Sequence, residues 1–223
     1  VTHVNLIEAV RSALAVETYR PGDRYLAYLP PAWIGDSAWS LAAHLVAGFT
    51  VNYPERPETV QENLREIGPH IALLPPRILE NLVSQIQVKM EDASRVKRWL
   101  FRKFMPIGQE LARRRMEREP VPFGLRLLAG LGEFFVFASL RDHLGLRRAR
   151  YTYTGGASLG PEVFLFFRGL GVNLKQVYGQ TENSALSCVQ RDGDVKLGTV
   201  GPPLPGNEIK ITEDGEIISR SLR

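Results

Sequence analysis

Seven consecutive residues, Gln176-Val177-Tyr178-Gly179-Gln180-Thr181-Glu182, bring an aromatic ring, a glycine, a hydroxyl and a carboxylate together. They follow a short apolar run, Val172 to Leu174, that reads as a buried strand. Such a mixture is poor core material. At a strand end it can set the Tyr178 ring beside a base, the Thr181 hydroxyl beside a phosphate and the Glu182 carboxylate beside a metal. The same residues would also serve an ordinary strand-to-loop turn in which Gly179 takes an unusual backbone angle.

A second strand-end loop, Gly155-Gly156-Ala157, lies upstream of it in the chain. Strands adjacent in sequence are often neighbours in such a sheet, and ligands of open α/β sheets collect beyond the carboxyl ends of the strands. Two glycines let the backbone approach a flat ligand closely. The two loops are therefore expected to form opposite walls of one nucleotide pocket. The glycine loop is not a Walker loop, since no Lys-Ser/Thr pair follows it, and it is not a G-x-G-x-x-G dinucleotide fingerprint.

The elements that must position these loops read as an α/β fold. Apolar runs predict strands at 25–29, 49–53, 70–74, 151–154 and 172–177. Between them, helical spacing predicts a helix from Asp36 to Gly48 with Ala38, Leu41, Ala42 and Leu45 on its buried face. Further helices are expected from Pro57 to Gly68, through Ile78 to Ile86, and from Pro161 to Gly171. Residues 91–146 hold no convincing strand and read as a helical insert. Within it, the apolar run from Phe123 to Leu140 holds Arg126, Glu133 and three glycines. A membrane span is therefore rejected there, and buried helices are expected. Beyond Ser187 the elements become short, and 208–211 with 216–219 read as a small antiparallel unit around the turn Glu213-Asp214-Gly215. The organisation expected is an α/β portion over 1–90, the helical insert over 91–146, an α/β portion over 147–186 carrying both loops, and a small β subdomain over 187–223.

Composition narrows the class. The chain has 223 residues, 44% hydrophobic and 23% charged, with a single cysteine, Cys188. That is a folded, soluble composition with no internal disulfide. Val1 is not methionine, and the first five residues do not look like a signal peptide, so the chain reads as a piece of something longer. The net charge is +4, but residues 89–118 hold ten basic against four acidic side chains, which leaves the remainder at −2. One cationic surface, not a nucleic-acid-binding chain, is the reading. Trp99, Phe101 and Phe104 are interleaved with those cations, so the surface is either a solvated helix or a peripheral contact with anionic membrane.

Taken in order, these motifs resemble the adenylate-forming superfamily, which includes acyl-CoA synthetases, luciferases and the adenylation domains of peptide synthetases. Tyr178-Gly179-Gln180-Thr181-Glu182 resembles its signature, with Gly155-Gly156-Ala157 at the expected distance upstream. Gly198-Thr199-Val200-Gly201-Pro202-Pro203-Leu204-Pro205-Gly206 and Gly215-Glu216-Ile217 resemble its downstream segments. Thr2-His3-Val4-Asn5-Leu6 resembles the stretch that follows its phosphate loop. Leu29-Pro30-Pro31-Ala32-Trp33-Ile34-Gly35-Asp36 and the helical insert look most like a bacterial long-chain fatty acyl-CoA synthetase.

The resemblance implies a ligase that joins a fatty acid to CoA through an acyl-adenylate, with ATP and Mg²⁺. Thr181 and Glu182 would be catalytic, Glu182 holding the metal. Gly155, Gly156, Ala157, Gln176, Tyr178, Gly179, Gln180 and Thr181 would bind the nucleotide, and Trp33 with Gly156 would line the substrate pocket. It also implies a cytoplasmic enzyme, with or without a peripheral contact on the inner face of the membrane. A phosphate loop before Val1, and a ribose-binding aspartate and C-terminal domain with its catalytic lysine beyond Arg223, are expected of the parent. An adenylating enzyme for another acid, with Asp36 as the only candidate partner for an α-amine, and a catalytically incomplete binding module remain the alternatives.

Overall fold

The computed structural model describes residues 1–221. A six-stranded sheet forms its centre, in the order β2-β1-β3-β4-β5-β6. Its strands are β1 (Arg24–Leu26), β2 (Thr50–Asn52), β3 (Ile71–Leu73), β4 (Tyr151–Thr154), β5 (Leu174–Tyr178) and β6 (Cys188–Val189). The first five run parallel and only β6 is antiparallel. A separate antiparallel pair, β7 (Asn207–Ile211) and β8 (Ile217–Ser221), completes the α/β architecture.

Side chains that alternate along the strands feed two cores. Ile71 and Leu73 join Tyr151, Tyr153 and Trp39 in one cluster, while Ala72 and Leu74 join Phe164, Phe167 and Leu174 in the other. Successive strand residues point to opposite faces, so the sheet is buried on both sides, as parallel sheets are. One side is covered by α1 (His3–Leu14) and α2 (34–47). The other is covered by α4 (Pro76–Glu91), α5 (Arg95–Met116), α6 (Phe123–His143) and α7 (Pro161–Gly169). The short α3 (Val60–Ile67) links β2 to β3. The expected stops hold: Gly48 and Gly68 end α2 and α3 at φ +75° and +55°, where a side chain would be strained. Helix α1, which no sequence pattern announced, starts from a reciprocal cap between Thr2 and Asn5.

Three expectations fail for physical reasons. Asp36 does not cap a helix. It lies inside α2, whose first turn begins at Ile34, and it is buried. The middle of α2, Ser37–Ala43, is a π-helix, and its wider turn rotates the buried face onto Ala38, Trp39, Ala42 and Ala43. Leu41 and Leu45 are left exposed. In α5, Trp99 points outward but Phe104 is only 6% exposed and Phe101 packs against Phe166 in the core. The three aromatics therefore do not make the outward apolar face that an interfacial helix needs. Finally, the apolar run expected to be buried is one continuous helix, α6, long and apolar enough by composition to cross a membrane. Only its inner side, with Ala129, Val136 and Phe137, packs into the core.

The insert is held by close backbone approach. A Cβ on Gly108 of α5 would collide with the Gly169 carbonyl of α7. On the sheet, Lys175 of β5 is fully buried, paired with Glu17 at 2.7 Å and Asp192 at 2.8 Å, its ammonium 4.9 Å from the Tyr151 ring centroid. Burial pushes the Glu17 carboxyl up against the pull of Lys175. Burial also pushes at the more exposed Asp192, but there hydrogen bonds from Lys175 and Asn173 outweigh it and hold the carboxyl below its usual range. Replacing one partner of a buried pair strands the other charge. Lys175→Met is therefore expected to cost about 3–5 kcal/mol in urea unfolding, and adding Glu17→Gln is expected to recover most of that loss. Equal losses in the single and double variants would contradict the pairing.

Candidate functional site

Strands β4 and β5 lie side by side and parallel, Thr154 opposite Gln176, so both expected loops leave the same edge of the sheet. Gly155 makes the junction close. A Cβ there would sit 2.6 Å from Val177 Cγ2 and 2.8 Å from the Val177 carbonyl oxygen. Gly156 has φ +84°, a left-handed conformation that favours glycine. The Trp33 indole comes within 3.4 Å of where its Cβ would be, and it lies tighter still over Gly35, where a Cβ would sit 2.7 Å from the ring. The structure thus brings together Trp33 and Gly156, the two residues expected to line a substrate pocket. Ala157 is exposed beside them.

Tyr178 closes β5, half-buried and paired with Cys188 of β6. The chain then folds back on itself. A Cβ on Gly179 would collide with the Ala185 carbonyl, and Ala185 N–H donates to the Gln180 carbonyl at 3.0 Å. Ser184 and Ala185 both adopt positive φ, +54° and +73°, a strained state for residues with a Cβ. This fold-back holds Thr181–Asn183 in a single 3-10 turn. Thr181 and Glu182 are exposed on it, and neither side chain has a hydrogen-bond or ion-pair partner among the described residues.

Sequence reasoning missed the residues that brace this turn. Gln190 is buried. Its side-chain oxygen accepts from the Gln176 N–H at 2.8 Å, and its amide donates to the carbonyls of Lys196 at 2.6 Å and Thr199 at 2.9 Å. It therefore ties β5 to the Gly/Pro segment. Asn183 donates to Ser219 of β8 at 2.6 Å, and Asn207 of β7 donates to the Leu186 and Ser187 carbonyls. The small β unit is thereby pinned to the loop. An amide just beyond the short apolar pair Cys188–Val189 was the one available signal for Gln190. Cys188 is buried, and burial pushes its thiol up, away from the reactive thiolate form.

The arrangement offers a half-buried aromatic ring, a glycine backbone edge, a free hydroxyl and a free carboxylate along one sheet edge. No group of three or more His, Cys, Asp or Glu side chains that could cage a metal occurs among the described residues. A lone carboxylate such as Glu182 fits Mg²⁺, which keeps waters and takes its other ligands from a substrate phosphate. Asp36, the candidate partner for an amine, is spent internally. Its carboxylate accepts from Ser40 Oγ at 3.0 Å and from Tyr25 Oη at 3.4 Å, and burial pushes its pKa up. A cleft of about 450 Å³, lined by Arg115, Arg126 and Arg168, lies at the other end of β5, against Val172 and Asn173.

Comparison with known proteins shows the family and the fold. A family model described as AMP-binding enzyme matches residues 1–220. The chain is 29% identical over 220 residues to a Mycobacterium tuberculosis protein named as fatty-acid–CoA ligase FadD11, an alignment covering 98% of this chain and 38% of that protein. It is 28% identical over 221 residues to the long-chain-fatty-acid–CoA ligase FadD15 of Mycobacterium bovis, covering 98% of this chain and 36% of the other. Among solved structures, it resembles the o-succinylbenzoate coenzyme A synthetase of Bacillus subtilis in complex with ATP and magnesium ion. That match has a TM-score of 0.62 at 18% identity and covers 98% of this chain and 37% of the other. A benzoate CoA ligase from Burkholderia xenovorans gives 0.61 at 20% identity over 97% and 35%. At those identities the structures show the fold. The chain spans under two-fifths of the relatives it matches.

Because a Cβ at position 179 has no room, Gly179→Ala is expected to force the 180–186 turn away from β5. Overpacking of this kind costs about 1–3 kcal/mol. A lower melting temperature, with faster amide exchange at Ser184 and Ala185, is the expected result. Unchanged exchange there would show that the fold-back is not tight.

Proposed function

The chain belongs to the AMP-binding enzyme family, and on that premise we propose that it is the central part of an ATP-dependent long-chain fatty acid–CoA ligase. The observation that carries this reading is the meeting of Gly155-Gly156-Ala157 and Tyr178-Gly179-Gln180-Thr181-Glu182 at neighbouring ends of parallel strands. The names of the relatives support a fatty acid as the acid and CoA as the acceptor. The cytoplasm, where all three substrates meet, goes with this reading.

In the proposed reaction a fatty carboxylate attacks the α-phosphorus of ATP, the bond to the β-phosphate oxygen breaks and pyrophosphate leaves. The CoA thiol, losing its proton, then attacks the acyl carbon of the acyl-adenylate and AMP leaves. The protein's part is to position two anions and to offset the charge that develops between them. Tyr178 stacks on adenine. The backbones of Gly155, Gly156 and Ala157, with Gln176, Gly179 and Gln180, line the nucleotide. Thr181 donates its hydroxyl hydrogen bond to the α-phosphate. Glu182 would hold Mg²⁺, whose chemistry when bound is to neutralise phosphate charge. Trp33, seated against Gly156, walls the acyl pocket. The internal hydrogen bonds of Asp36 speak against an amino acid as the substrate, since no other acidic residue lies in the segment around Trp33.

In the full-length parent, Glu182→Gln is expected to lower ATP–pyrophosphate exchange by about 10²–10³, the usual cost of removing one electrostatic stabiliser. Fatty acid binding should be nearly unchanged. Exchange close to wild type would remove Glu182 from the metal site.

A further inference from the structure

Helices α5 and α6 and the end of α7 enclose a cleft of about 450 Å³, a volume within the range of small-molecule sites. Close helix packing makes its floor. Gly108 of α5 meets the Gly169 carbonyl with no room for a Cβ between them, so backbone lies where side chains would otherwise stand. Leu111, Phe137 and Val172 supply apolar walls. Gly130 of α6 also lines the cleft, and a Cβ there would meet nothing within 4 Å. The recess is therefore open at that point of the helix.

Three guanidinium groups converge on this space. Arg115 comes from the last turn of α5, Arg126 from near the start of α6 and Arg168 from the last turn of α7. Arg115 and Arg126 are exposed, and neither has a hydrogen-bond or ion-pair partner among the described residues. Arg168 donates to Asn173 Oδ1 at 2.8 Å, a neutral acceptor. The carboxylate in the lining, Glu133, is already held by Arg141. Asp192, which also acts on Arg168, is engaged by Lys175 and Asn173. Burial holds the Arg168 guanidinium below its usual range; Asp192 pulls the other way, and Arg115 adds to the depression. Arg115 and Arg168 thus repel one another across the space they share.

We infer that this cleft binds a small molecule carrying two or more phosphate charges, its oxygens on the forks of Arg115, Arg126 and Arg168 and its uncharged part against Leu111 and Phe137. Planar guanidinium forks match phosphate oxygens, and an anion between Arg115 and Arg168 turns their repulsion into attraction. Three uncompensated positive charges exceed what one carboxylate neutralises, so a fatty acid is a poorer occupant. The ligand is also not the ATP of the proposed reaction. The cleft lies at Val172 and Asn173, before β5, whereas the candidate nucleotide loops lie beyond its carboxyl end. At the rise of an extended strand, Asn173 and Tyr178 are roughly 16 Å apart. The inference does not rest on the ligase reading.

The test is calorimetric titration of the lipid-free, full-length parent with pyrophosphate, with inorganic phosphate and with octanoate. Each titration is run with and without a saturating non-hydrolysable acyl-adenylate analogue. Pyrophosphate is expected to bind more tightly than phosphate, octanoate not to bind at the same place, and the analogue to leave one pyrophosphate site intact. Arg115→Gln with Arg126→Gln should weaken that site at least about tenfold, since a hydrogen bond to a charged group is worth roughly that much. The melting temperature should hold, because both side chains are exposed and unpaired. Gly130→Met should weaken it as much by placing a side chain in the recess without changing charge, and methionine suits a helix better than glycine. Wild-type pyrophosphate affinity in either variant overturns the inference. So does complete displacement of pyrophosphate by the analogue, or binding of neither phosphate. The charge variant decides alone if Gly130→Met does not fold.

Discussion

Everything proposed for this chain depends on how closely β4 and β5 run together at their carboxyl ends. Two parallel strands can release their loops to one edge only if nothing separates them there, and at position 155 there is room for a hydrogen but not for a methyl group. The same constraint returns one loop later, where Gly179 accepts the Ala185 carbonyl against its α-carbon. Two glycines with different roles therefore set the distance across the site. A third, Gly156, sets the backbone direction that lets Trp33 lie against it.

Around that edge the amides that brace the strands are engaged, although the buried Thr152, Thr154 and Ser187 hydroxyls have no hydrogen-bond partner among the described residues, and the groups for which chemistry is proposed stand free. Gln190 satisfies three backbone groups, Asn207 two, and Lys175 is locked between Glu17 and Asp192. Buried polar groups of that kind hold geometry because leaving them unpaired is costly. Thr181 and Glu182, by contrast, stand exposed without partners among the described residues, on a turn whose backbone is strained at Ser184 and Ala185. A free hydroxyl and carboxylate on an over-determined backbone are suited to meeting a ligand, since no internal bond must break first.

The parallel sheet was legible because its strands are short apolar runs closed by Gly and Pro, and the cores they feed follow the two-residue period. The small antiparallel unit announced itself through its turn, and Gly215 does take φ +84° there. What misled was any departure from 3.6 residues per turn. The π-helical Ser37–Ala43 exchanged Leu41 for Trp39 on the buried face. In the insert, composition could not say which side of a helix meets the core. Phe104, among cations, went inward, while Phe123 and Phe134, in the most apolar run of the chain, stayed outside. The candidate site was legible as residue types at strand ends, and its motifs carried the family resemblance. The braces Gln190, Asn183 and Asn207 were not, because an amide carries no mark of its partners until the chain is folded.

The central claim is that the loops 155–157 and 178–182 are two walls of one nucleotide site. Amide hydrogen exchange of the full-length parent, with and without a non-hydrolysable acyl-adenylate analogue, tests it most directly. The account predicts that slowing of exchange will appear together in both loops and in the 183–187 fold-back, at the same analogue concentration. Protection of only one loop, or protection centred on the arginine-lined cleft at the far end of β5 with neither loop changed, would contradict it.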